Sequence, residues 1–181
     1  MSFKKKISDS IEAWRKSKFD DSLDVFTINE CDLVNYKDPT FMIASGISCT
    51  FKCERECGER VCQNHPLLKE EVINYTISNA IWRYDRQSLS TSITFQGLEP
   101  LDNIIQLIWF LVEFRKNHKD KVIIWTGYTE DECEPFIDLL KELNISNIII
   151  KFGRYVPNKE SHFDELLGVT LANPEQYSKE F

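Results

Sequence analysis

The residues best suited to chemistry are four cysteines, Cys49, Cys53, Cys57 and Cys62, gathered in the stretch ISCTFKCERECGERVC. Deprotonated thiols bind soft metals, and this density of them on a polar loop fits zinc or an iron–sulfur cluster better than a set of idle thiols. Ligand count separates the two metals. A structural zinc takes four closed ligands, which these cysteines would supply, although zinc sites more often pair two-residue spacings across a longer gap. A cluster held by three thiolates leaves one iron open to a substrate. Cys31 and Cys133 stand apart and read as inert small side chains. In a reducing compartment the six cysteines are not expected to form disulfides.

The elements that must position these thiols follow from apolar periodicity. Strands are expected at 41–44, 92–95, 122–125 and 147–151, alternating with a helix-like stretch at 70–84, a helix at 102–116 and another within 130–143. Such alternation predicts right-handed crossovers and a mainly parallel sheet. The apolar runs KVIIW and NIIIK predict strands buried on both faces beneath helices. Functional groups then belong at the C-terminal ends of the strands, in the loops SGISCTFKC, QGLEP, TGYTEDE and FGRYVPN. Ile7, Ile11 and Trp14 predict a short amphipathic helix over 7–17, with short strands at 25–28 and 33–36. Residues 1–40 thus read as an N-terminal extension and 41–181 as one α/β domain. Past Tyr155 the chain reads as loops with a strand at 167–171.

Three of these loops resemble one family. Cys49-Thr-Phe-Lys-Cys53 is similar to the first half of the CxxxCxxC motif of radical S-adenosylmethionine enzymes, and Cys62-Gln-Asn-His-Pro resembles the third-cysteine segment in the activating proteins of anaerobic ribonucleotide reductase. The middle departs from the pattern: residues 54–61 stand where the family has two, and they contain Cys57. Cys62, with Asn64 behind it, is the favoured third ligand and Cys57 the alternative. QGLEPLD resembles the GGEP motif that binds the amino group of S-adenosylmethionine, with Gly97, Glu99 and Pro100 retained and Leu98 in place of the second glycine. Thr126, Gly127 and Tyr128 of IIWTGYTEDE match the Trp-Thr-Gly-Tyr turn of the activators. A Gly-x-Glu-Pro turn is also ordinary helix-start chemistry, so the second loop gains its meaning from the other two.

The resemblance implies a shortened, open parallel β/α barrel of the radical S-adenosylmethionine type carrying a short N-terminal helical extension. It implies a [4Fe-4S] cluster on Cys49, Cys53 and Cys62, with S-adenosylmethionine as cosubstrate. Cosubstrate contacts are expected from Asn64, Gly97, Leu98, Glu99, Pro100, Thr126, Gly127, Tyr128 and Lys151. The implied reaction is reductive cleavage of the sulfonium and transfer of the radical to a glycine of the reductase large subunit. A low-potential one-electron donor such as flavodoxin would supply the electron. Arg154 and Lys159, beyond the fourth strand, are expected at an exposed rim contacting the protein partner. Other readings are a small-molecule enzyme similar to the deazaguanine synthases, and a zinc-stapled interaction module.

Several residues carry a plainer reading. His65 is expected as a hydrogen-bonding neighbour of the cysteines rather than a ligand, and Trp14, Trp82, Tyr84 and Trp109 as core. At 181 residues the chain suits one domain, and 42% hydrophobic with 28% charged residues is a globular composition. A net charge of -7 repels phosphate backbones and anionic lipid, so neither nucleic acid nor membrane is an expected partner. The most apolar run, 104–112, is about half the roughly 20 residues of a membrane span. The start MSFKKKISDS lacks the apolar core of a signal peptide, and a cytoplasmic protein is expected.

Overall fold

The computed structural model describes residues 2–181. In chain order it contains α1 (Phe3–Lys16), β1 (Ser22–Val25), β2 (Thr27–Asp32), β3 (Thr40–Ser45), α2 (Lys52–Cys57), β4 (Ile73–Thr76), α3 (Ile77–Arg86) and β5 (Ser92–Gly97). There follow α4 (Ile104–Phe114), β6 (Lys121–Trp125), α5 (Glu130–Glu142), β7 (Ile148–Phe152), β8 (His162–Asp164), β9 (Val169–Leu171) and β10 (Tyr177–Glu180). Short 3-10 turns at His65–Lys69 and Pro100–Asn103 precede β4 and α4.

The main sheet has six strands in the order β10-β7-β6-β5-β3-β2. The four expected strands are its centre and run parallel, because each crossover to the next carries a helix. The edge strands β2 and β10 pair antiparallel, so the fold is α/β with a mixed sheet. All of the long helices lie against one face: Ile7, Ile11 and Trp14 of α1, Ile77, Ala80 and Tyr84 of α3, and the apolar sides of α4 and α5 join one core with Phe41, Phe95, Ile124 and Ile150. Helices do not cover the other face. There Ile123 and Ile149 pack with Tyr36, Leu167 and Leu171, from the loop before β3 and the β8–β9 hairpin. Among the described residues no helix is long and apolar enough to cross a membrane.

Several local expectations are corrected. The helix-like stretch 70–84 is helical only from Ile77; Ile73 has helical spacing to Ile77 but is exposed, its segment pairs with β1, and the Thr76 hydroxyl caps α3 by accepting from Asn79 N at 3.0 Å. No strand forms at 33–36, where Leu33 and Val34 are exposed and Asn35 donates back to the Asp32 carboxylate at 3.0 Å in a turn. Trp82 is exposed, its ring under the Arg86 guanidinium rather than in the core. The strand expected at 167–171 is β9, which starts at Val169. The first forty residues pack as part of the same body, with α1 in the main core and β2 in the main sheet.

Candidate metal centre

Chain reversal at the C-terminal ends of β3, β5, β6 and β7 leaves one cavity of about 280 Å³. Its wall includes Cys49, Cys53, Cys62, Asn64, Gly97, Leu98, Glu99, Thr126, Gly127, Lys151 and Arg154. All four loops singled out by the strand-end rule therefore meet at one place. Cys57, Pro100, Tyr128 and Lys159 are not on that wall. Tyr128 instead borders a small adjoining pocket with Cys49, Cys53 and Glu99.

The long insertion between Cys53 and Cys62 is folded so that it returns. Residues Lys52–Cys57 make a short helix, Gly58 ends it in the left-handed region at φ 76°, and the chain turns back. Glu54 then clamps the returning strand: its carboxylate accepts from Cys62 N at 3.0 Å and faces His65 Nδ1 at 3.2 Å. His65 also packs on the Phe51 ring, as a neighbour of the cysteines. The Asn64 amide donates to the Gly97 carbonyl, tying this segment to the end of β5. Cys57 points elsewhere, with its thiol toward the carbonyls of Glu54 at 3.6 Å and Glu59 at 3.4 Å.

The thiols differ in acidity. The interaction between the Cys53 and Cys62 thiols pulls Cys62 below the ordinary thiol value, against the opposing effect of burial, and pushes Cys53 upward. Burial pushes Cys49 up to about 12, although Phe51 N donates to its sulfur at 3.2 Å. A metal group would supply the positive charge that these half-buried thiolates lack, since only thiolates ligate.

The second and third loops are locked together by one buried carboxylate. Glu99 accepts from Leu101 N at 3.1 Å, Thr126 Oγ1 at 2.7 Å and Gly127 N at 2.9 Å. Burial pushes it up to about 7, with those three donors opposing. Glu99 thus ties the end of β5 to the turn after β6. Thr126 accepts from Tyr128 N at 3.0 Å, and the Tyr128 hydroxyl donates to Asp102, which Lys6 of α1 reaches at 2.5 Å. Gly97 is closely approached by protein backbone: a Cβ there would lie 2.0 Å from the Ser45 carbonyl, at a φ of +123°.

Among the described residues, Lys151 on this wall has no carboxylate partner for its ammonium. It is buried, its ammonium donates to the Gly153 carbonyl at 2.8 Å, and burial draws it down to about 8 although Glu99 and Cys53 oppose that. Nearby, the buried Trp125 Nε1 has no hydrogen-bond partner. Arg154 is not at an exposed rim; its side chain is 10% exposed and is paired to Glu132 at 2.7 Å, because the loop after β7 folds over α5. Lys159 is exposed. Sequence reasoning missed Glu54, Asp102 and Glu132, supporting carboxylates whose roles depend on chain return and carry no spacing signal.

The donor set fits a [4Fe-4S] cluster: three thiols and no fourth cysteine on one wall, beside an ammonium whose one hydrogen bond goes to a carbonyl. Among the described residues no three Cys, His, Asp or Glu converge as a single metal ion requires. A cluster instead spreads its thiolates over separate irons. No curated protein and no solved structure matches the chain. The family described as 4Fe-4S single cluster domain matches residues 42–168, from the start of β3 to the β8–β9 turn and more than two-thirds of the length. The chain therefore belongs to the 4Fe-4S single cluster domain family.

Proposed function

We propose that the chain is a radical S-adenosylmethionine activating enzyme that installs a glycyl radical on the large subunit of an anaerobic ribonucleotide reductase. The observation that carries this reading is one cavity walled by Cys49, Cys53 and Cys62 on one side and by the Gly97–Glu99 and Thr126–Gly127 loops and Lys151 on the other. When bound, a cluster on Cys49, Cys53 and Cys62 would supply the single electron, taken from a donor such as flavodoxin, that cleaves the sulfonium of S-adenosylmethionine, and the residues around it would hold that cosubstrate where a glycine of the docked large subunit can give up a hydrogen atom.

This chain's residues bind and orient. Cys49, Cys53 and Cys62 would hold the cluster, and Cys57, turned toward the Glu54 and Glu59 carbonyls, would stay free of it. The Lys151 ammonium, with one carbonyl as its partner, meets the cosubstrate carboxylate by a charge-assisted hydrogen bond. Glu99 keeps the two loops at fixed separation, so the cosubstrate meets a preorganised wall. The cavity opens to solvent, and the docked large subunit completes it and excludes water from the radical.

The test has two stages. Cys49→Ala, Cys53→Ala and Cys62→Ala each abolish cluster assembly in anaerobically prepared protein, and Cys57→Ala spares it, by iron and sulfide analysis and visible spectrum. The reduced protein with S-adenosylmethionine and the large subunit then gives a glycine-centred signal by electron paramagnetic resonance. Efficient conversion of a small molecule by the isolated chain, with no glycyl signal in any reductase mixture, would overturn the activase reading in favour of a deazaguanine synthase-like enzyme. Colourless protein with one zinc would overturn both.

A further inference from the structure

A helix that buries nothing needs another anchor. No residue of Lys52–Cys57 is buried, and its N-cap Phe51, at φ 48°, offers no side-chain cap. The apolar packing that holds α1, α3, α4 and α5 is therefore absent from the helix that carries Cys53. Charges reach it instead. Lys52 Nζ donates to Glu132 Oε1 at 2.9 Å, and Arg154 Nη2 donates to the same carboxylate at 2.8 and 2.7 Å. Arg154 Nε lies 3.4 Å from Glu56 on the far turn of α2. The Glu132 and Arg154 side chains are only 15% and 10% exposed, so solvent screening weakens this pair less than a surface one.

Glu132 is itself firmly placed. It is the third residue of α5 in a capping box with Thr129, and its Oε2 accepts from Thr129 N at 3.0 Å. Buried Phe136, Ile137 and Leu140 root that helix in the core. The carboxylate thus connects the core to a helix none of whose own residues is buried.

We propose that Glu132 is a positioning residue for the cysteine centre: through Lys52 it holds the turn bearing Cys53, and through Arg154 it ties that turn to the loop beyond β7 on the same cavity wall. The proposal rests on Cys53 holding the cluster and not on the activase reading. Two consequences follow, one geometric and one electrostatic. Loosening α2 lets a thiolate leave its iron more often. Removing the negative charge leaves an excess of positive charge beside an anionic cluster, and the potentials of such clusters respond to nearby charge and hydrogen bonds.

The experiment uses the full chain with its cluster assembled anaerobically and no S-adenosylmethionine. It reads iron and sulfide content, the rate of iron loss to a chelator, and the midpoint potential. Glu132→Gln keeps an acceptor at the capping position but not the charge. A full cluster, a several-fold faster loss of iron and a more positive midpoint are expected. Lys52→Met, which leaves the α5 cap and the Arg154 pair intact, also speeds iron loss but moves the midpoint the opposite way. The double variant Lys52→Met with Glu132→Gln returns the midpoint toward the parent while iron loss stays fast, a recovery that a merely structural role would not produce. Glu132→Gln with the parent's midpoint and iron loss would overturn the proposal. Where Glu132→Gln fails to take up iron, Lys52→Met decides, and its behaving as the parent overturns the proposal equally. Failure of the underlying ligand assignment reads differently: Cys53→Ala would then retain full iron.

Discussion

The strands β6 and β7 and the segment 47–76 are two solutions to holding a chain in place. Every residue of β7 is buried, and the central residues of β6 are too. Between residues 47 and 76 none is buried, although this stretch carries all four clustered cysteines. Apolar burial, at about 25 cal/mol per Å², fixes the first region and brings the strand ends to one edge. The second hangs on Glu54, Asn64 and the Glu132 network. The difference teaches that the sheet supplies an address and the cysteine segment supplies ligands, and that a metal group would add to the segment the order its own packing does not provide.

The largest effect that would break this contrast belongs to the core. Phe110, fully buried with its ring edge-on to Phe95 at 4.9 Å, leaves a cavity when truncated. Phe110→Ala costs about 3–5 kcal/mol in denaturant unfolding, whether or not iron is present. A loss below about 1 kcal/mol would mean that the apolar core is not what fixes the strand ends.

Gly97 sits where the two regions join. A Cβ there meets the Ser45 carbonyl at 2.0 Å, and the backbone is at φ +123°, so Gly97→Ala must push β3 from β5. The strain is worth about 1–3 kcal/mol. Because Ser45 and Gly46 lead directly to Cys49, the variant loses iron as well as stability, measured on the same preparation. Full iron with reduced stability would uncouple the cysteine loop from the sheet.

The buried carboxylate of Glu99 gives a comparable effect that pH can switch. Its folded value near 7 stands above the ordinary 4.5 because of burial. Between those values the unfolded chain has released this proton and the folded chain has kept it, so the stability of iron-free protein falls as pH rises from about 4.5 to 7. The penalty accumulates to about 3 kcal/mol, from about 1.36 kcal/mol per pKa unit. Glu99→Gln flattens that slope relative to the parent in urea melts from pH 5 to 8. Parallel slopes in the two proteins would place the protonation elsewhere.

Legibility in sequence followed the same division. The helices Ile104–Phe114 and Glu130–Glu142 were readable because burial of one side imposes a period, and strands such as KVIIW and NIIIK because burial on both faces makes a continuous apolar run, with Val122, Ile123, Ile124, Ile148, Ile149 and Ile150 all buried. The cysteines were readable by type, and the loops QGLEP and TGYTEDE by their place after strands. Ile73 misled because it keeps helical spacing while lying exposed in β4. Arg154 misled because a charge in a loop looks solvated until its partner, Glu132, arrives from another element. Glu54 and Asp102 were silent for the same reason: polar anchoring has no period. The open second face, covered by Tyr36 and the β8–β9 hairpin, was hidden because strands buried on both sides look alike whatever covers them.

The smallest effect tests the segment itself. Leu68 is 49% exposed on the 3-10 turn after Cys62, so Leu68→Ser removes little apolar burial and changes the stability of iron-free protein by less than about 0.5 kcal/mol. Global stability is therefore the wrong readout for this region, and amide hydrogen exchange is the right one. Removing iron with a chelator should raise exchange through residues 47–72, where backbone bonds such as Gly58 N to Glu54 O and His65 N to Cys62 O are local. Exchange in β6 and β7 should stay as it was, since their ladders lie inside the apolar layers. Equal exchange in 47–72 with and without iron would show that Glu54, Asn64 and Glu132 suffice to order the cysteines. Loosening that spreads into β6 and β7 would show that the two regions are one cooperative unit.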